Sequence, residues 1–159
     1  MSVIFRKLLV YSMIFAFAFT SSILVSSKSA SAGADREWVK LDKGYRAGFD
    51  EPHEKKTGKW HVHVYKGNKK IASENMDGTK HDGSSLKDAP KSVVKKLKSK
   101  SQWDKYKKKQ KKLDEARNKV SKYSWWQLVF DPTPIYALAI ALGVTFAMFT
   151  MAQWKAIIF

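Results

Sequence analysis

The chain of 159 residues has no cysteine, four prolines and eight glycines, and only 14 acidic residues against 30 basic ones. Without cysteine there is no disulfide framework and no thiolate metal site. Export does not require disulfides, so their absence leaves the compartment open. The shortage of acids leaves a net charge of +16, mostly from lysine. Lysine-rich surfaces attract polyanions such as nucleic acid, anionic lipid and the acidic polymers of a bacterial wall. The signatures of catalysis are missing too. Gly67, Gly78 and Gly83 sit in ordinary turns rather than in a phosphate loop. There is no Gly-x-Ser-x-Gly elbow, no His-Glu-x-x-His and no recognisable pair of catalytic carboxylates. No catalytic residue and no cofactor is expected, and the chain does not read as an enzyme.

What is present begins with Ile135 to Trp154, twenty residues without a charge. As one helix this stretch would be about 30 Å long, the thickness of a bilayer's hydrocarbon core. Its flanks suit an interface, with Trp125, Trp126 and Tyr136 before it and Trp154 and Lys155 at its end. Asp131-Pro132-Thr133-Pro134 would stop an incoming helix and start a new one. Ala139, Gly143 and Ala147 recur every four residues, a small-residue stripe that lets membrane helices approach. Trp125, Trp126, Ala139, Gly143, Ala147 and Trp154 are therefore the expected membrane-insertion residues.

At the other end, Arg6 and Lys7 precede an apolar run from Leu8 to Val25, and Ala30-Ser31-Ala32 is a small-x-small cleavage signal. This predicts a signal peptide over 1–32, with a mature chain from Gly33 outside the cytoplasm; the alternative is an uncleaved signal anchor. The expected location is secreted, at the cell membrane, or both.

Between the two ends the chain divides into a β-rich region over 33–88, lysine-rich helices over 89–124 and a Trp/Pro linker over 125–134. The membrane helix and tail follow over 135–159. Trp38 to Leu41 is a short strand candidate, and the next stretch to Gly58 reads as loop. Trp60 to Tyr65 alternates with period two, Gly67-Asn68 turns, and Lys70 to Ser73 returns, giving a hairpin within 60–75. Centring the turn there pairs Val64 with Ile71 and His63 with Ala72. Trp60, Val62, Val64 and Ile71 then share one face, and His61, His63 and Tyr65 a solvated other. His61 and His63 have a spacing known in zinc sites, but further ligands would have to come from His53, His81 or a carboxylate. No metal is expected from this pattern.

From Pro90 the period turns helical, with Asp88 or Ala89 as cap. Ser101 and Asp104 resemble a capping box. Trp103, Tyr106, Gln110, Leu113, Ala116, Val120 and Tyr123 form a narrow apolar seam. Lys91 to Lys122 holds fourteen basic residues against three acids, an excess of eleven. Lys105, Lys108, Lys109 and Lys112 are the expected anionic-surface contacts, on an amphipathic helix lying on anionic lipid. Nucleic acid is not an expected partner of an exported chain. The fold class is α+β: a small hairpin or meander plus basic amphipathic helices, between a signal peptide and a transmembrane-type helix.

A lysine cluster outside, directly before a span, conflicts with the positive-inside rule. Either the tail is a weak anchor with the basic domain outside, or the whole is exported and attacks membranes from outside. In the second form, the signal-like Met1 to Ala32, the lysine-rich middle and Ile135 to Trp154 resemble, in layout, precursors of secreted antimicrobial peptides of bacilli. These are the sporulation-delaying toxin and the similar biofilm toxin. The chain lacks the paired cysteine found in the active peptide of the sporulation-delaying type. The resemblance implies a toxin precursor whose apolar C-terminal segment permeabilises bacterial membranes. It also implies processing proteases and a cognate immunity membrane protein as partners. The alternative is a cell-surface protein anchored by its tail, with the basic domain binding envelope polymers or a partner.

Overall fold

The computed structural model describes residues 36–159. The expected signal peptide lies outside them. The described chain is α+β: a four-stranded antiparallel meander followed by five helices. The strands are β1 (Glu37–Lys40), β2 (Tyr45–Asp50), β3 (His61–Lys66) and β4 (Lys69–Asn75), in the order β1-β2-β3-β4.

β2 occupies a stretch expected to be loop. Its charged and glycine-rich composition hides a clean alternation, in which Ala47 and Phe49 go to the core while Arg46, Gly48 and Asp50 take the opposite face. At Gly48 a Cβ would come within 2.5 Å of Arg36 Cδ, so the glycine lets that side chain lie across the strand. The β3–β4 hairpin turns at Gly67-Asn68 as expected, with Gly67 at φ +56°. Its register differs by one residue beyond the first pairs. Tyr65 faces Lys70 and Val64 faces Ala72, so a bulge leaves Ile71 without an opposite residue. His63 therefore faces Ser73 instead of Ala72.

The helices are α1 (Lys91–Lys98), α2 (Ser101–Val120), α3 (Trp125–Phe130), α4 (Thr133–Leu142) and α5 (Met151–Ile158), with 3-10 turns at Leu86–Asp88 and Phe146–Met148. Asp88 does not cap α1, which starts at Pro90 without a side-chain cap; it closes a capping box with Ser85 around the first 3-10 turn. Nor does Ser101 cap α2, since Lys100 holds the N-cap position.

The expected seam of α2 is real. Tyr106, Gln110, Leu113, Ala116 and Val120 are buried along one face. The seam packs on α4 and, toward its N-terminal end, on the apolar face of the sheet, where Tyr106 stacks on Phe49 at 4.6 Å. Gln110 Oε1 accepts from Trp60 N at 2.8 Å, and Arg117 Nη2 donates to Lys55 O at 3.1 Å and to Gly58 O at 2.7 Å. Two polar side chains of α2 thus hold the backbone of the β2–β3 connection.

The apolar C-terminal stretch is not one helix. α4 ends at Gly143, whose φ of +76° is left-handed. Val144 N donates to Ala139 O at 3.0 Å and Gly143 N to Ile140 O at 3.1 Å, the two reversed bonds of a Schellman ending. The chain then turns through Phe146–Met148 and folds back as α5. Trp154 lies fully buried, stacked on Phe146 and donating through Nε1 to its carbonyl at 3.0 Å. Among the described residues no helix is long and apolar enough to cross a membrane.

Candidate functional site

Two places on the described chain gather chemistry: the polar face of the sheet, and the junction between α2 and the C-terminal helices.

On the sheet, antiparallel pairing sets Asp50 beside His61 and Gly48 beside His63, with Ser73 on the other side of His63. The side chains of Asp50, His61 and His63 therefore share a face. That face is not solvated, contrary to the sequence expectation: His61, His63 and Asp50 are all buried. Two loops cover it. The β2–β3 connection brings His53, whose ring lies 4.7 Å from that of His61. After β4, His81-Asp82-Gly83-Ser84 closes a tight turn with Asp82 and Gly83 both at positive φ. This turn lays His81 on His61, the rings stacked at 3.8 Å, and Ser73 Oγ holds the His81 carbonyl at 2.8 Å.

His53, His61, His63 and His81 each offer a ligand atom, all within 4.8 Å of one another. Several polar atoms here have no partner. His61 Nδ1 donates to Lys59 O at 2.9 Å, which leaves its Nε2 as a free lone pair. His61 Nε2, His63 Nδ1 and Asp50 Oδ2 are buried without hydrogen bonds. Each such orphan costs about 1–3 kcal/mol. Asp50 Oδ1 is taken by Arg36 Nε at 2.6 Å, while Oδ2 stands 3.6 Å from His63 Nε2 and 4.0 Å from His61 Nε2. Burial pushes the pKa of both His61 and His63 down to about 4, against the opposing pull of Asp50. Burial lowers His81 as well. Burial thus favours the neutral form of all three rings, the state in which imidazole ligates metals.

At the second place, Trp60 bridges the sheet and the helices. Its indole Nε1 donates to Ala141 O at 3.1 Å, its edge meets Tyr106, and Lys109 Nζ sits 4.1 Å above its ring. A groove of about 540 Å³ opens beside it, lined by Lys109, Lys112 and Lys119 on α2 and by Ala137, Ile140 and Gly143 on the C-terminal side. Cations over an apolar floor suit an anionic amphiphile.

The expected membrane-insertion residues are not brought together. Ala139 and Trp154 point inward and are buried. Trp125 is half-buried beneath Lys155, 6.0 Å from its ring centroid. Gly143 is the α4 terminator rather than part of a helix–helix stripe, and Ala147 is exposed in a 3-10 turn. Of the six, Trp126 alone projects strongly, at 69 % exposure. The expected lysines also divide. Lys105 pairs with Glu37 at 2.5 Å, and Lys109 is half-buried over Trp60 and Tyr106, where burial lowers its pKa. Lys108 and Lys112 are exposed.

Sequence reasoning missed Asp50 and Arg36 as parts of the histidine face, because the strand that carries Asp50 was not recognised. His53 and His81 carried a usable signal, since each adjoins a turn former, Pro52 and Asp82-Gly83. Comparison with protein-family models, with curated proteins and with solved structures finds no match to this chain.

Proposed function

We propose that the chain is a secreted, membrane-active protein, a precursor whose apolar C-terminal segment acts on anionic bacterial membranes. One observation carries the reading. Among the described residues, seven of the eight exposed large hydrophobic residues lie between 125 and 159, including Phe130 at 86 % and Ile140 at 79 % exposure. Ile140 shares a groove with Lys109, Lys112 and Lys119 of α2. Apolar anchors next to cations are the arrangement that binds peripherally to anionic lipid. In this conformation the segment is broken at Gly143 and its first helix packs on α2, so spanning a bilayer requires it to leave α2. Processing proteases and an immunity membrane protein belong to the same reading as partners.

The anchored alternative, with the basic helix binding envelope polymer, makes the same demand on the tail. Its support is the exposed Lys108 and Lys112 on α2.

The test is dye release from vesicles rich in phosphatidylglycerol against phosphatidylcholine vesicles, using the chain from Gly33 onward. Binding and leakage are expected with a preference of at least about tenfold for the anionic vesicles, falling as salt rises. Phe130→Asp and Ile140→Asp, at exposed positions, are expected to reduce both. No binding to anionic vesicles at micromolar protein in low salt would refute the membrane reading. Retention on teichoic acid that both variants leave untouched would favour the alternative.

A further inference from the structure

We propose that His53, His61, His63 and His81 form a binding site for one divalent late transition metal, of which zinc is the probe of choice. The site would brace the β2–β3 connection and the turn after β4 against the sheet.

The donors converge from separate parts of the chain. Two come from alternate positions of β3, one from the loop before it and one from the turn after β4. Nothing in strand or turn geometry alone requires four imidazoles to meet. The unpartnered Nε2 of His61 and Nδ1 of His63, both buried, are what a bound ion would satisfy. The second ring nitrogen of His61 is held by the Lys59 carbonyl, which fixes tautomer and ring plane as in ligated histidines. Asp50, braced by Arg36, places a carboxylate oxygen beside His63 and His61, where it lowers the energy of a cation.

The donor set decides the class of ion. Four imidazoles with no thiolate suit zinc, copper(II), nickel or cobalt, whereas calcium and magnesium take oxygen ligands. Four protein ligands also fill a tetrahedron, so the ion would have a structural part, with no vertex left for a substrate. Zinc–nitrogen bonds of about 2.0–2.1 Å put tetrahedral nitrogens about 3.3 Å apart, closer than the 4.8 Å spread here. Binding must therefore draw the ligands together. His53, exposed on its loop, has the freedom to move in and the access to meet the ion first. The four histidines lie on the side of the sheet opposite Phe49 and Tyr106, and the titration below involves no membrane, so failure of the metal site and failure of the membrane reading are distinguishable.

The experiment uses tag-free chain from Gly33 onward, stripped with chelator. Zinc is titrated in competition with a chromophoric chelator, and cobalt(II) substitution is followed by visible absorption. Expected are one ion per chain with a submicromolar Kd and cobalt bands of tetrahedral nitrogen coordination. His61→Ala and His63→Ala should each weaken binding by at least about a hundredfold. These two sit in the sheet and could disturb folding, so His53→Ala is the control at an exposed position. It should keep the far-UV circular dichroism of the parent and still lose about tenfold or more in affinity. A Kd above about 10 µM, a stoichiometry other than one, or unchanged affinity in His53→Ala would overturn the four-histidine site.

Discussion

Replacing Gly143 with alanine tests the stored state of the C-terminal segment directly. Two costs follow from its surroundings. A residue with a Cβ at φ +76° gives up about 1–2 kcal/mol relative to glycine. The new Cβ also stands 3.3 Å from Trp60 Cη2, whose ring is tied to Ala141 O and cannot retreat freely. Together they amount to about 2 kcal/mol. For a described chain of this size that is a drop in Tm of about 5–8 °C. If the strain is relieved by undocking alone, the open population rises about thirtyfold. Without its left-handed stop, Thr133 to Ile158 can run as one helix of about 39 Å, longer than the hydrocarbon core. Leakage from anionic vesicles is therefore expected to rise while thermal stability falls. Gly143→Asn, which tolerates the left-handed region better, should fall between the two. A Gly143→Ala protein with parental Tm, or with slower leakage, would refute the reasoning.

Arg117→Met should cost about 2–3 kcal/mol in urea unfolding, because it removes two charge-assisted bonds to the carbonyls of Lys55 and Gly58; faster proteolysis in the β2–β3 connection should accompany it, and a cost below about 1 kcal/mol would count against the anchor. Trp60→Phe keeps the ring contact with Tyr106 but loses the bond to Ala141 O, so a loss of about 1 kcal/mol and increased vesicle binding are expected, to be read by calorimetry and flotation. In chelator, stability should depend on acid. The folded-state pKa values of His61 and His63 lie near 4 against 6.5 in the unfolded chain, so the unfolded state binds more protons in between. Their contribution is fully present above pH 6.5 and declines as pH falls toward 4; urea midpoints that stay flat across that window would contradict the burial of these rings.

Much of the sheet and of the long helix could be read from residue patterns, because period two and period 3.6 report burial on one side. Trp60 to Tyr65 and the Tyr106-to-Val120 seam are such cases. β2 was lost because Gly48 and its charged neighbours imitate a loop, although the glycine serves to let Arg36 lie across the strand. The hairpin register slipped at Ile71 because pairing arithmetic from a turn assumes no bulge. The buried histidine face could not be seen from the strand alone, since what covers it arrives from two loops whose paths depend on Arg117 and on the Asp82-Gly83 turn. The tail was misread for a different reason. Hydropathy sums apolar character without regard to φ, and so joined α4 to α5 across a residue that ends a helix. A terminator was present in the letters, a glycine after Leu142 with an apolar residue behind it.

Trp60 and His61 are neighbours in sequence whose side chains serve opposite sides of the sheet. One abuts the end of α4; the other lies within the imidazole cluster. A shift of the strand end that carries them moves both at once. Any coupling between an ion at the histidines and docking of the tail would pass through this single peptide unit. By reciprocity, any factor by which an ion tightens the docked tail is the factor by which departure of the tail weakens hold on the ion. With such a coupling, release of the C-terminal helices would weaken the hold on an ion by that same factor, and removing the ion would ease the release equally.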